Sequence, residues 1–200
     1  MTLLIARHGQ TDWNLTRRWQ SRTDIPLNAF GLQQAHALAE CLQSRGFRPT
    51  RIIASPLVRA KVTAEILASG FSLEVEADAR LVELDLGDWE GVFEDELRRR
   101  DPDFYDKWRA DCYRAAPPGG ESILDVAARI RPLVEEVRES EGDILLVAHQ
   151  GVNMALKGQL SGCFSISCLE SYRQSNDEID LWEVNPAGSI GRLKAFDDGG

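Results

Sequence analysis

Leu3-Leu4-Ile5-Ala6-Arg7-His8-Gly9-Gln10-Thr11, the first apolar run of the chain with the polar residues that follow it, decides the fold. Four apolar residues in succession indicate a strand buried on both faces of a sheet, as in parallel sheets covered by helices. The run ends at Arg7 and His8, a cation and an imidazole. We therefore expect a buried strand that places both side chains at its carboxyl end.

Two later segments repeat this arrangement. The run Ile52 to Ala54 is followed by Ser55-Pro56-Leu57-Val58-Arg59, and the run Ile144 to Ala148 is followed directly by His149. Because ligands bind at the carboxyl ends of the strands in open α/β sheets, these side chains should meet those of the first strand in one pocket.

Segments with helical periodicity alternate with the apolar runs, which favours layered α/β structure. The clearest predicted helices are Ala29 to Arg45, Leu57 to Ser69 and Ser122 to Glu139. Further predicted strands are Leu73 to Ala77, Ile179 to Val184 and Ile190 to Phe196, the last two joined by the turn-rich residues 185–188 as an antiparallel hairpin. The fold class is therefore α/β, a three-layer α/β/α sandwich with a mostly parallel, mixed central sheet.

The chain shows no linker or repeat, so we expect a single domain over residues 1–200. Residues 92–120 are polar, rich in aromatic side chains and interrupted by Pro102. This pattern predicts a lid-like helical insertion near the entrance of the site.

Composition narrows the function classes. The 200 residues are 43% hydrophobic, enough for a substantial core, and carry a formal net charge of −9, which argues against nucleic acid or an anionic membrane as partner. There is no apolar run of about 20 residues and no signal-peptide pattern, so a cytoplasmic location is expected.

The four cysteines, Cys41, Cys112, Cys163 and Cys168, lack Cys-x-x-Cys spacing and are expected to be free thiols.

The strand-end residues suit phosphoryl chemistry. The guanidinium groups of Arg7 and Arg59 present donor forks to phosphate oxygens, and an imidazole of His8 or His149 can attack phosphorus. The third histidine, His36, lies within a predicted helix and is expected to be an ordinary solvated or core-packed side chain.

The leaving alcohol of such a reaction needs a proton, which a buried carboxylic acid with a raised pKa can supply. Glu83, Asp85 and Glu90 are candidates, and their spacing alone does not choose among them.

Other reaction classes lack their motifs. The sequence contains no P-loop, no Gly-x-Gly-x-x-Gly fingerprint, no His-Glu-x-x-His and no Gly-x-Ser-x-Gly elbow. We therefore expect neither a nucleotide cofactor nor a metal ion.

The motifs resemble, in order, those of the histidine phosphatase superfamily, the phosphoglycerate mutase-like proteins. The resemblance spans about residues 3 to 160 and is carried by Arg7-His8-Gly9-Gln10-Thr11, Thr23-Asp24-Ile25-Pro26-Leu27, Ser55-Pro56-Leu57-Val58-Arg59-Ala60, Leu84-Asp85-Leu86-Gly87-Asp88-Trp89-Glu90-Gly91, Pro118-Gly119-Gly120-Glu121-Ser122 and Val147-Ala148-His149-Gln150-Gly151-Val152. Several blocks in the family's order are far more specific than a single Arg-His-Gly match.

This resemblance implies a role for each site residue. His8 would be the phosphorylated nucleophile and Glu83 the proton donor to the leaving group. The remaining candidates would contact the phosphoryl group or the substrate: Arg7, Asn14, Gln20, Ser21, Arg59, His149 and Gln150, the last through its backbone. Ser21 stands where the family commonly has glycine, which bears on how closely that backbone approaches a substrate.

The short chain and its Gly-Asp-Trp-Glu-Gly and Gly-Gly-Glu-Ser segments resemble the phosphatase branch, which includes α-ribazole phosphatases and broad phosphoglycerate-type phosphatases. The predicted activity is metal-independent hydrolysis of small-molecule phosphomonoesters through a phosphohistidine on His8. The expected partner is a small phosphorylated substrate, and the fold allows a homodimer. Two alternatives stay open: a cofactor-dependent mutase that transfers the phosphoryl group to an organic acceptor, and a non-catalytic module that binds a phospho-ligand.

Overall fold

The computed structural model describes residues 1–185 and 188–196. The strands in these ranges are β1 (Thr2–Arg7), β2 (Arg51–Ala54), β3 (Val75–Ala77), β4 (Ile144–Ala148), β5 (Glu178–Glu183) and β6 (Gly188–Lys194). The α-helices are α1 (Asp12–Leu15), α2 (Ala29–Ser44), α3 (Val58–Ala68), α4 (Glu94–Arg100), α5 (Pro102–Ala110), α6 (Ile123–Glu139), α7 (Gln150–Ser161) and α8 (Ile166–Ser171).

The strands form one mixed sheet in the order β3-β2-β4-β1-β5-β6. The pairs β3–β2, β2–β4 and β4–β1 are parallel, whereas β1–β5 and β5–β6 are antiparallel. The predicted mostly parallel, mixed sheet and the antiparallel pairing of its last two strands are therefore confirmed. Two residues of the predicted hairpin turn, 186 and 187, lie outside the described residues. The register between β1 and β4 sets Arg7 opposite Ala148, which places the next residues of both strands side by side.

Hydrophobic residues pack on both faces of the sheet, which confirms the three layers. Leu3 and Ile5 of β1 join a core cluster built largely from α6 and α7, whereas Leu4 and Ala6 join a second cluster with α2 and α3. All four side chains are fully buried. The unbroken apolar run therefore reflects a central strand covered on both sides.

Local signals fix the helix ends. Ser122 and Asp125 form the expected capping box before α6, which continues through Pro132. Before α2, Asn28 Oδ1 accepts a hydrogen bond from Gly31 N at 2.8 Å. A Cβ atom on Gly9 would lie 2.4 Å from Gly31 O, so two glycines let the start of α2 pack against the loop after His8.

The segment predicted as helical pieces, residues 92–120, contains α4 and α5. Pro102 is the first residue of α5, where its missing N–H costs nothing, and Asp101 caps that helix by accepting from Phe104 N at 3.0 Å. Strand β3 is shorter than the predicted Leu73 to Ala77, beginning only at Val75.

The expectation of free thiols is wrong for one pair of cysteines. Cys163 and Cys168, either side of the start of α8, form a disulfide with a Cα–Cα distance of 6.2 Å. Four residues separate these cysteines, whereas a Cys-x-x-Cys motif has two, so their spacing gives no signal. The thiol of Cys112 is free.

In the part of the chain that is described, every helix is too short or too polar to cross a lipid bilayer.

Candidate active site

The carboxyl ends of β1, β2 and β4 bring together the residues that the sequence singled out. His8 follows β1 and His149 follows β4, and the two ring centroids lie 5.1 Å apart. A hydrogen bond from His8 N to Ala148 O, 3.1 Å long, continues the ladder between the strands and fixes this spacing.

The His8 ring is held in one orientation. Its Nδ1 lies 2.7 Å from Gly9 O, and because a carbonyl oxygen only accepts, Nδ1 carries the proton. Burial lowers the pKa of His8 well below its ordinary value, and the charges of Arg7 and Arg59 lower it further. The imidazole is therefore neutral near pH 7, with its lone pair on Nε2.

His149 is fully buried. Its Nε2 lies 2.8 Å from Ser55 Oγ, at the end of β2. Burial lowers the pKa of His149 well below its ordinary value, and the charge of Arg59 acts in the same direction. Its Nδ1 is buried and has no hydrogen-bond partner among the described residues, so one ring nitrogen is available to a ligand.

Arg7 Nη1 donates to Gln174 O at 3.0 Å. The Nε atom of Arg7 is buried and, in residues 1–185 and 188–196, has no hydrogen-bond partner. Buried polar groups are nearly always paired in proteins, so these unpaired atoms of Arg7, at the end of β1, and of His149, after β4, indicate a site for a polar ligand.

Arg59 is anchored by backbone oxygens. Its Nη1 donates to Thr23 O at 2.9 Å and its Nη2 to Ser21 O at 2.5 Å. The Gln20 amide is oriented so that its nitrogen donates to Thr11 Oγ1 and its oxygen accepts from Arg59 Nε, both at 2.6 Å. Burial lowers the pKa of Arg59 to about 10, so the guanidinium remains charged at neutral pH.

Asn14 and Gln150 occupy helix N-termini beside these groups. Asn14 Oδ1 accepts from Thr11 N at 3.1 Å in the capping box of α1, which leaves its Nδ2 as a donor. Gln150 is the first residue of α7, and its Oε1 accepts from Gln174 N at 3.3 Å. Helix N-termini favour anions because their first N–H groups lack helical acceptors.

Glu83 lies against the start of α7. Its Oε2 accepts from Gly151 N and its Oε1 from Val152 N, both at 3.2 Å. Burial raises the pKa of Glu83 above its ordinary value, although the hydrogen bonds from Leu84 N and Gly151 N act in the opposite direction. A carboxyl group in this position keeps its proton to a higher pH than an exposed glutamate does, and it is still supported by N–H donors once it ionises.

The two rival carboxylates are engaged elsewhere. Glu90 accepts from the N–H groups of Ser21 and Thr23, each at 3.1 Å, and although burial acts to raise its pKa, these hydrogen bonds hold it below the ordinary value. Asp85 Oδ1 accepts from Gly87 N at 2.9 Å, and its Oδ2 pairs with Arg22 Nε at 3.3 Å. Both shape loops, which leaves Glu83 as the acid beside the strand ends.

Ser21 is buried and its hydroxyl is committed to the fold. Its Oγ donates to Leu84 O at 2.7 Å and accepts from Leu86 N at 3.3 Å, so it ties the loop that holds Arg59 to the segment that carries Glu83. The replacement of glycine thus adds a link between two loops.

Sequence reasoning missed the residues that hold Arg7 and His8 in place. Gln174 Nε2 donates to Ile5 O at 2.7 Å, and Gln174 Oε1 accepts from Asn153 Nδ2 at 2.8 Å. Asn176 Nδ2 donates to His8 O at 2.7 Å. Gln174 and Asn176 lie in the loop between α8 and β5, which has no recognisable motif, so the sequence offered no signal.

A cavity of about 410 Å³ opens beside these groups. Of the predicted site residues, those that line it are Arg7, Asn14, Gln20, Glu83 and Gln150. The others, His8, Ser21, Arg59 and His149, are buried within the protein. Among the aromatic side chains of this region, Trp108 also lines the cavity, whereas Trp89 and Tyr105 are core residues and Phe93 is exposed.

No cluster of three or more His, Cys, Asp or Glu side chains suited to a metal ion occurs in residues 1–185 and 188–196.

Comparison with known proteins gives one family. The family model described as histidine phosphatase superfamily (branch 1) matches residues 3–191. Glucosyl-3-phosphoglycerate phosphatase of Mycobacterium tuberculosis is 42% identical over 168 residues, covering 79% of this chain and 74% of the relative. A solved structure of the mycobacterial glucosyl-3-phosphoglycerate phosphatase with VO3 superposes with a TM-score of 0.83 at 38% identity, covering 91% of this chain and 92% of the other.

Two more distant relatives carry different names. The α-ribazole phosphatase of Shigella flexneri is 28% identical in its solved structure, with a TM-score of 0.79 and coverage of 92% of this chain and 90% of that one. A Salmonella newport protein named "Probable phosphoglycerate mutase" is 31% identical over 214 residues, covering 98% of this chain and 96% of the relative.

Proposed function

The chain belongs to the histidine phosphatase superfamily, and from this premise we propose that it hydrolyses small phosphomonoesters through a phosphohistidine formed on His8. The observation that carries the proposal is the fixed His8 ring: Nδ1 is bound to Gly9 O, so Nε2 has a free lone pair. A neutral imidazole is the form that can attack phosphorus.

The phosphoryl group is bound by the cations and donors around that ring. Arg7 Nε and His149 Nδ1, buried without partners among the described residues, pair with its oxygens, together with Asn14 Nδ2 and the remaining N–H groups of Arg59. Donors fixed in advance stabilise the charge on the equatorial oxygens in the transition state. Gln20 holds Arg59, and the N-terminus of α7 at Gln150 adds a favourable dipole.

The reaction has two steps. In the first, His8 Nε2 attacks phosphorus, the bond from phosphorus to the ester oxygen breaks, and protonated Glu83 gives its proton to that oxygen. In the second, the Glu83 carboxylate takes a proton from water while the water oxygen attacks phosphorus. The P–N bond breaks, releasing inorganic phosphate and restoring both residues.

Residues 92–120 act as a lid over this chemistry in our proposal, within a single domain. Trp108 of α5 packs edge-on against Trp19 and Trp89, with ring centroids 5.1 and 5.2 Å apart. These contacts hold the helix at the cavity that Trp108 lines. A wall of this kind excludes water and contacts the leaving group.

The experiment that tests this function is phosphate release from a panel of alkyl, sugar and aryl phosphates with a chelator present. Wild-type protein should release phosphate, and His8→Ala should not. His36→Ala is the control and should also release phosphate, because His36 is exposed on α2, away from the strand ends. Full activity in His8→Ala, or loss of activity on chelation, would contradict the proposal. Phosphoryl transfer to an organic acceptor instead of water would identify a mutase.

The cytoplasmic location and the homodimer stay predictions of the sequence. Cell fractionation tests the first, and light scattering of the purified protein tests the second.

A further inference from the structure

The imidazole of His149 has unequal surroundings at its two ring nitrogens. Nε2 lies 2.8 Å from Ser55 Oγ, whereas Nδ1 is buried with no hydrogen-bond partner in the described part of the chain. A neutral imidazole has one N–H group and one lone pair, on different nitrogens. The nitrogen that carries the proton therefore decides whether Nδ1 can donate a hydrogen bond to a ligand or can only accept one.

Ser55 continues the hydrogen-bond ladder of the sheet. It follows β2, and its backbone N–H donates to Val147 O at 3.0 Å, one step beyond the pairing of Ala54 with Val147. His149 follows β4, the strand next to β2. Ser55 and His149 are both fully buried. The contact between the two side chains is therefore set by the pairing of β2 with β4.

The Ser55 hydroxyl has one proton to donate. Its Oγ accepts a hydrogen bond from Leu57 N at 3.3 Å, which uses a lone pair and leaves the proton. Within residues 1–185 and 188–196, no acceptor other than His149 Nε2 forms a hydrogen bond with this hydroxyl. Buried polar groups are nearly always paired, so the proton is directed at Nε2.

This hydrogen bond fixes the tautomer of His149. Nε2 accepts from Ser55 and keeps its lone pair, so the one proton of the neutral ring lies on Nδ1. The opposite tautomer would leave both the Ser55 O–H group and the Nδ1 lone pair buried without partners, which costs stability. Burial also lowers the pKa of His149, and the charge of Arg59 lowers it further, so the ring does not take up a second proton near pH 7.

His8 and His149 carry the proton on the same nitrogen but present opposite groups. Gly9 O binds the Nδ1–H of His8, which leaves the Nε2 lone pair of His8 free. Ser55 binds the Nε2 of His149, which leaves the Nδ1–H of His149 free. A carbonyl oxygen and a hydroxyl group thus give two identical side chains, with ring centroids 5.1 Å apart, different chemical roles.

An N–H group on His149 matches the other unpaired donor of the site. Arg7 Nε is also buried without a partner among the described residues, and a guanidinium can only donate hydrogen bonds. The oxygens of a phosphoryl dianion can only accept them. A lone pair on Nδ1 would repel such an oxygen, whereas an Nδ1–H group binds it.

We propose that Ser55 is a positioning residue: its hydroxyl donates to His149 Nε2 and thereby keeps His149 as a neutral Nδ1–H donor to the phosphoryl group. The fixed tautomer follows from the contacts of Ser55, whereas the phosphoryl group as acceptor rests on the proposed function. Ser55 acts through His149 and has no contact of its own with the substrate.

The first test is nitrogen NMR of the histidine rings in the free protein. The chain has three histidines, so a two-bond 1H–15N spectrum of protein labelled with 15N-histidine contains few signals, and His149→Gln identifies those of His149. Near pH 7 we expect a protonated Nδ1 and an unprotonated Nε2 for His149. A protonated Nε2, or a ring protonated on both nitrogens, would overturn the inference.

The second test removes the hydroxyl. In Ser55→Ala the His149 signals should shift toward the average of the two tautomers, because neither ring nitrogen then has a partner that selects one form. Ser55→Gly also removes the hydroxyl and gives the same test if the alanine variant does not fold. A fully retained Nδ1–H tautomer in these variants would show that Ser55 does not set it.

Ser161→Ala is the matched control. Ser161 is the last residue of α7, the helix that begins directly after His149, and its hydroxyl donates to Lys157 O at 2.8 Å. The variant therefore also loses a serine hydroxyl with a hydrogen bond, at the other end of the helix. It should leave the His149 signals unchanged.

Calorimetric binding of inorganic phosphate measures the consequence for the site. Ser55→Ala should weaken binding about threefold to tenfold, which corresponds to the loss of one hydrogen bond. If Ser55 acts through His149, the double variant Ser55→Ala/His149→Ala should bind phosphate as His149→Ala does. An equal loss from Ser55→Ala in both backgrounds would show a general structural role and overturn the inference.

The NMR measurements separate this inference from the proposed function, because they need neither substrate nor turnover. A tautomer that depends on Ser55, in a protein that neither binds phosphate nor hydrolyses esters, would contradict the proposed function and support the role of Ser55 toward His149. Ester hydrolysis by a protein whose His149 tautomer does not depend on Ser55 would overturn this inference alone.

Discussion

The imidazole rings of His8 and His149 lie 5.1 Å apart at an interplanar angle of 59°, although they follow two different strands. Their spacing is set by the register of β1 on β4, in which Arg7 faces Ala148. Adjacent parallel strands thus place the proposed nucleophile and the proposed phosphoryl-binding group side by side. Sites built on such rigid elements keep their geometry through a reaction.

Replacing the proton donor should reveal its role through the leaving group. Glu83→Gln should lower hydrolysis of alkyl phosphates by about 10²- to 10⁴-fold, because an alkoxide leaves poorly without a proton. With 4-nitrophenyl phosphate the first step needs no proton, so stopped-flow absorbance should show a burst of nitrophenolate followed by slow turnover. Glu65→Gln, an exposed change on α3, is the control. Equal losses on both esters without a burst would rule out this role for Glu83.

The pH dependence of kcat/KM should follow the two shifted groups. Attack requires neutral His8, whose pKa lies well below its ordinary value of 6.5, so the acid limb should fall below the usual histidine range. Proton donation requires protonated Glu83, whose pKa lies above its ordinary value of 4.5, so activity should decline at higher pH as Glu83 ionises. Initial rates across pH, with an alkyl phosphate, test both limbs. An acid limb at or above pH 6.5 would contradict the depressed pKa of His8.

Gly151→Ala should impair the enzyme through Glu83. The added Cβ would lie 2.7 Å from Glu83 Oε1 and 3.0 Å from Leu84 Cβ, so the carboxyl group must move. Alanine favours helix by about 1 kcal/mol over glycine, so a loss of activity without a large loss of thermal stability is expected. The control is Gly188→Ala, where an added Cβ meets no atom of the described residues within 4 Å. Wild-type activity in Gly151→Ala would mean that the position of the Glu83 carboxyl group against Gly151 N and Val152 N of α7 does not matter for the reaction.

Gln174→Leu should weaken phosphate binding by freeing Arg7. The Gln174 side chain forms hydrogen bonds with Ile5 O and Asn153 Nδ2, and leucine cannot form them. The backbone carbonyl of residue 174, which accepts from Arg7 Nη1, would then be held less firmly. Loss of such buried hydrogen bonds costs about 1–3 kcal/mol of stability. The comparison variant is Gln159→Leu, which loses a hydrogen bond to Ala127 O on α6. Both should lower the melting temperature, and only Gln174→Leu should raise KM and the inhibition constant of inorganic phosphate.

Much of the fold and of the site could be predicted because the signals are local. Runs such as Leu3 to Ala6 mark buried strands, and the residues directly after them, His8 and His149, lie together because parallel strands end at one edge of the sheet. The sequence could not choose among Glu83, Asp85 and Glu90, since all three lie in one segment. Burial and hydrogen-bond partners, which depend on the folded chain, distinguish them.

The parts that could not be predicted depend on contacts between distant segments. The hydrogen bond between Arg7 and Gln174 joins residues 167 apart, and no periodicity or motif encodes such a pairing. Arg17 and Arg109 are 92 positions apart in the sequence, and the fold places both at one cavity. The disulfide of Cys163 and Cys168 likewise depends on how the chain turns between α7 and α8.

The most direct test of the account is detection of the phosphorylated residue. Glu83→Gln protein mixed with 4-nitrophenyl phosphate, quenched in alkaline denaturant and digested, should yield a peptide phosphorylated on His8 by mass spectrometry. His8→Ala/Glu83→Gln protein should yield none, and His36→Ala/Glu83→Gln protein should behave as the parent. Turnover of the ester with no phosphohistidine, or with the phosphoryl group on His149 instead of His8, would contradict the proposed mechanism.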